Sequence, residues 1–82
     1  MIQTEIIEKL TELFRDVFDD DTIVITHETT SADIPHWDSV NQIMILIGCE
    51  AGFNIKFATA ETEGLRNVGE LISVIEKKTA YI

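Results

Sequence analysis

Cysteine, proline and basic residues are scarce in this chain, which holds one, one and six of them in 82 positions. Cys49 alone cannot form an internal disulfide. Six basic residues against fifteen acids leave a formal charge of −9, so the chain repels nucleic acid and anionic membrane surfaces. Long apolar runs are missing too: the longest, Ile43 to Cys49 with Gly48 inside it, is far too short to span a bilayer. The N-terminus shows neither a basic flank nor a signal-peptide core, and a cytoplasmic, monomeric protein is expected. The acids gather early, with Glu5, Glu8, Glu12, Asp16 and Asp19 to Asp21 all in the first quarter of the chain. Such a surface steers toward basic patches on other proteins, an effect that fades with salt. The expected partners are therefore proteins.

What is present is enough apolar residue, 45%, to build a core. The length allows one small domain over residues 1–82, burying about 60% of its unfolded surface. Ile6, Ile7, Leu10, Leu13, Phe14, Val17 and Phe18 recur at three- and four-residue steps, marking an amphipathic helix from Glu5 to Phe18 with Thr4 as its cap. Asp19-Asp20-Asp21 ends it. Residues 22–38 form a connection long for so small a domain. Ile23, Val24, Ile25 and Ile34 are expected to seat it on the helices, Thr29, Thr30, Ser31 and Asp33 to supply turns, and Pro35 to stop any local helix. A strand at Ile23 to Ile25 would have no partner, so no sheet is expected.

Trp37-Asp38-Ser39-Val40 closes this connection and opens the second helix, expected from Ser39 to about Ala51, before Gly52. Asp38 reads as its N-cap, which leaves the Ser39 hydroxyl at the positive end of the helix dipole, facing solvent. An anion on that oxygen is favoured there by ~0.3–1 kcal/mol. At 100° per residue Val40, Met44, Ile47 and Ala51 form one apolar stripe, with Ile45, Leu46 and Cys49 roughly opposite. Both cannot face one core: either the helix is buried all round, which so small a domain scarcely permits, or one stripe is an exposed contact surface for a partner. Phe53, Ile55 and Phe57 read as loop anchors and residues 58–63 as a short helical turn. The last helix opens at Asn67 with Glu70 three places on, buries Val68, Leu71, Ile72 and Ile75, and ends favourably at Lys77 and Lys78. The fold class is all-α: a small bundle of three long helices plus one short one.

Several chemistries lack their residues. The acidic run at Asp19 has neither the spacing, the glycine nor the closing glutamate of a calcium loop. Asp38-Ser39 has no flanking glycines for a nucleophile elbow. His27 and His36 with Glu28 and Asp38 match no closed zinc set, so no metal is expected. Cys49, in an apolar run, reads as a small buried hydrophobe, and Trp37 as a loop anchor whose indole N–H finds a partner at the rim.

An acidic amphipathic helix, a long loop, Asp38-Ser39-Val40 heading an apolar helix, a short turn and a last amphipathic helix together resemble the acyl carrier protein family over nearly the whole chain. The family's attachment motif is Asp-Ser-Leu, with Val or Met sometimes in the third place, and the resemblance continues through Phe53 and Phe57 to Leu65, Val68 and Ile75. It implies a non-catalytic carrier whose Ser39 takes 4′-phosphopantetheine from coenzyme A through a phosphopantetheinyl transferase and Mg²⁺, with acyl groups then held as thioesters on the arm. Acyl-loading and acyl-processing enzymes would be the other partners. Where fatty-acid carriers bear acids along the second helix, this chain has Asn41, Met44, Ala51 and Gly52 and keeps only Glu50. By that alignment Val40, Asn41, Met44, Ile47 and Ala51 face partners, Ile45, Leu46 and Cys49 face the core, and an acyl pocket is lined by Ile45, Cys49, Phe57, Leu65 and Leu71, with Phe57 restricting long chains. These departures are similar to stand-alone carriers of specialised fatty-acyl or polyketide pathways. Peptidyl or aminoacyl carriers, D-alanyl carriers included, share the fold, and an acidic helical interaction module whose Asp-Ser is only a cap is the alternative from another class.

Overall fold

In the computed structural model, which describes residues 2–79, four helices follow one another: α1 (Gln3–Phe18), α2 (Ser39–Phe53), α3 (Thr59–Thr62) and α4 (Val68–Thr79). The bundle is all-helical, three long helices and a short one. α1 packs against both α2 and α4, because its apolar side, Ile6, Leu10 and Phe14, is fully buried among Ile45, Cys49, Val68, Ile72 and Ile75. Leu13 lies over Gly48, whose missing side chain leaves that space to it.

Helix ends differ from expectation at two places, the start of α1 and the end of α2, while α1 stops at Phe18 as expected. Thr4 is not the cap of α1 but lies inside it; the cap is Ile2, whose carbonyl accepts the Ile6 N–H at 3.2 Å without side-chain help. α1 closes through Asp19 in the left-handed region (φ 50°), where the Asp20 N–H reaches back to the Arg15 carbonyl at 3.0 Å. α2 runs past Gly52 to Phe53, and Asn54 (φ 56°) is the residue that turns left-handed. At both ends the N–H of the residue after the left-handed one bonds a carbonyl five residues back, Ile55 to Glu50 at 3.1 Å in α2, and in α2 this lets Ile55 pack on the core.

The long connection is packed rather than loose. Ile25 and Ile34 are buried and Ile23 is half-buried, but Val24, expected to help seat the loop, is 74% exposed. Thr29, buried, accepts the Thr26 N–H on Oγ1 at 2.8 Å. The carbonyls of Thr29 and His27 then accept the Val68 and Gly69 N–H groups at 2.9 and 2.8 Å, while Asn67 Oδ1 accepts that of Glu70 at 2.9 Å. The loop thereby caps α4.

Candidate functional site

Trp37 fixes the end of the loop. Its ring stands edge-on to Phe14 at 5.2 Å between centroids, a contact worth ~0.5–1.5 kcal/mol beyond burial, and its Nε1–H donates to Gln42 Oε1 at 2.7 Å. Just before it His36 adopts φ 71°, and its carbonyl accepts both the Asp38 N–H at 2.9 Å and Asn41 Nδ2–H at 2.7 Å. The two hydrogen bonds accepted by this one carbonyl hold the chain where it turns into α2. Asp38 is the N-cap: its Oδ1 accepts the Asn41 N–H at 2.9 Å, a bond worth ~0.5–2 kcal/mol.

Ser39 follows, exposed, in the first position of α2. Among the described residues its hydroxyl has no hydrogen-bond partner, since the capping is done by the neighbouring carboxylate. It lines a cleft of about 390 Å³ between the start of α2 and the α3–α4 linker, together with Trp37, Asp38, Gln42, Leu65, Arg66, Asn67 and Leu71. The acyl-pocket residues expected from sequence all belong to one core cluster: Ile45, Cys49 and Leu71 are buried in it and Phe57 and Leu65 pack against it, and of the five Leu65 and Leu71 also line this cleft. The Phe57 N–H is donated to Glu50 Oε2 at 2.9 Å.

Outward from Ser39, α2 shows an apolar face. Val40 (68%), Met44 (50%) and Ile47 (55%) are exposed, Ala51 too, and Asn41 is half-buried. Ile43, 57% exposed, belongs to the same face and was not singled out in the sequence, although its angular position 60° from Val40 on a helix at 100° per residue would have found it. The helix carries a single charged side chain, Glu50, and its carboxylate is engaged internally by Phe57.

The protein's own thiol is withdrawn from chemistry: burial first, and the Glu50 carboxylate beside it second, push Cys49 up to about 12. His27 Nε2 lies 3.1 Å from Gln3 Oε1, and among the described residues no three His, Cys, Asp or Glu side chains are grouped to hold a metal ion. No helix among them is long and apolar enough to cross a membrane.

The small all-helical bundle thus presents an exposed serine at the head of its second helix, directly after the Asp38 N-cap. The fold is similar to that of a holo acyl carrier protein from Geobacter metallireducens solved by solution NMR, with a TM-score of 0.84, 44% identity, and coverage of 90% of this chain and 85% of that one. The meromycolate extension acyl carrier proteins of Mycolicibacterium aurum and Mycolicibacterium smegmatis are each 29% identical over 75 residues, 92% of this chain and 77% and 76% of theirs. No family model matches the chain. At 44% identity over most of a solved relative, the chain belongs to the acyl carrier protein family. Its role is that of a non-catalytic acyl carrier, and the family's prosthetic group is a phosphopantetheine arm.

Proposed function

We propose that Ser39 is the attachment point of the arm and that the loaded protein carries acyl intermediates for a specialised fatty-acyl or polyketide pathway. In the transfer, Ser39 Oγ attacks the pantetheine-bearing phosphorus of coenzyme A, a P–O bond forms to the serine, the pyrophosphate bond breaks, and the nucleotide part leaves. The serine proton goes to a base of the transferase, which also supplies Mg²⁺. The single observation that carries this reading is the exposed Ser39 hydroxyl, left without a partner by the Asp38 cap and lining a cleft.

The residues fit the group. The cleft mixes apolar side chains, Trp37, Leu65 and Leu71, with the amides of Gln42 and Asn67, which suits an arm carrying both amide and methyl groups, and its size lies within the ~300–1,000 Å³ of small-molecule sites. Cys49 cannot substitute for the arm's thiol, being sealed and protonated. Cargo beyond the arm would first meet Leu65 and Leu71; to reach Ile45 and Cys49, or to feel the bulk of Phe57, it must open the packed core. The face of Val40, Asn41, Ile43, Met44, Ile47 and Ala51 is proposed as the surface read by the transferase and by acyl-loading and acyl-processing enzymes. The lean to a specialised pathway draws on that apolar face and on relatives named for meromycolate extension.

The test is mass spectrometry after incubation with a broad-specificity phosphopantetheinyl transferase, coenzyme A and Mg²⁺. One phosphopantetheine is expected on the wild-type chain and none on Ser39→Ala; an unmodified wild type, or a modified Ser39→Ala, removes the assignment.

A further inference from the structure

Arg66 and Ser39 line the same cleft. Of the six basic residues, Lys9 is held by the Gly52 carbonyl at 3.1 Å and Phe53, Arg15 by the Ile23 carbonyl at 2.9 Å, and Lys78 by Glu61 at 2.8 Å. Lys56 and Lys77 line a separate groove toward the C-terminal end of α2. Arg66 alone of these side chains lines the Ser39 cleft. Its backbone N–H is donated to Glu70 Oε1 at 3.2 Å, but among the described residues no hydrogen bond or ion pair engages its guanidinium. Its planar fork of donors is therefore free to take a phosphate in two parallel hydrogen bonds.

The rest of the cleft has matching donors. Gln42 accepts the Trp37 indole N–H on Oε1, and Asn67 accepts the Glu70 N–H on Oδ1. Each amide is thereby oriented, with its NH₂ group left over. Leu65 and Leu71 supply apolar surface. Arg66, two amide side chains and two leucines line the cleft together with the Asp38 carboxylate, which is engaged by the Asn41 N–H, so Arg66 is the one positive side chain available to an anion there in a protein of net charge −9.

Resting on the Ser39 reading, we infer that Arg66 is the phosphodiester anchor of the arm. Its guanidinium pairs with the phosphate on Ser39 and lays the pantetheine chain into the cleft over Leu65 and Leu71 instead of leaving it free in solvent. The pair is charge-assisted and forked, so it positions as well as attracts. Nothing in the sequence motif marks it, because Arg66 and Ser39 come together only through the fold.

The experiment uses the holo protein, with loading verified by mass, in three forms: wild type, Arg66→Lys and Arg66→Glu. In the wild type, NOEs are expected from the geminal methyls of the arm to the Leu65 and Leu71 methyls. The Gln42 and Asn67 side-chain amides should also shift on going from apo to holo. Arg66→Lys should retain these contacts at reduced intensity, and Arg66→Glu should lose them while keeping the backbone amide spectrum of a folded bundle. A loaded wild type whose arm gives no NOE to the protein, or an Arg66→Glu form whose NOEs match the wild type, overturns the anchor and leaves the carrier reading standing. A wild type that accepts no arm overturns both.

Discussion

At Gly69 the fold leaves no room for a side chain. A Cβ there would stand 2.8 Å from the His27 carbonyl oxygen, the same oxygen that accepts the Gly69 N–H and helps the long loop cap α4. Two effects oppose each other in Gly69→Ala. The helix gains ~1 kcal/mol from alanine's propensity, but the loop backbone must be displaced, at a cost of ~1–3 kcal/mol and the loss of a capping bond. Displacement wins, and the urea midpoint is expected to fall; a midpoint equal to or above wild type would contradict this. The residue scale also shows where sequence reading stops. Asn67 and Glu70 announce the start of α4, and Asn67 Oδ1 does accept the Glu70 N–H, but Glu70 returns to the Arg66 N–H rather than to Asn67. The His27 and Thr29 carbonyls that complete the cap lie some forty residues away in the chain, and every residue type has a carbonyl, so no pattern distinguishes them.

At the scale of elements, α2 decides the most. Helical angle alone separates its two apolar sides, and burial assigns them: Ile45 and Cys49 are at 0% exposure, Val40, Ile43, Met44 and Ile47 at 50% or more. An exposed apolar face of four large side chains next to the proposed attachment serine is a surface on which a charge would be left unpaired under a partner. Met44→Glu is therefore expected to lower kcat/KM for arm transfer by roughly tenfold or more, through loss of apolar contact and burial of a carboxylate, with little change in fold stability since Met44 is half out of the protein. Transfer as efficient as wild type would remove the partner-face proposal. The extent of α2 was less legible than its faces. Gly52 reads as a stop, but a helix ends where the following chain is drawn away, and here the core draws in Phe53 and Ile55, so Asn54 takes the left-handed turn.

For the molecule as a whole, charge and apolar contact fall on different elements: α1 and the turn after it hold seven of the fifteen acids, while α2 holds one. Long-range attraction thus works from one element and close fit from another. Arm transfer by a basic-surfaced transferase should slow as salt is raised, kcat/KM falling by about tenfold between low and ~0.3 M salt with kcat nearly constant, because screening acts on encounter. A flat salt profile would mean that the acids of α1 take no part. The amphipathic repeats of α1 and α4, the Asp38 cap, the placement of Ser39 after it and the acidity of the chain were set by sequence alone, since each depends on spacing within a few residues or on a simple count. The cleft, Arg66 in its lining, the burial of Ile45 and Cys49 away from it and the capping of α4 by the loop were decided by tertiary structure. They depend on which side chains meet across distant helices, and local spacing carries no information about that.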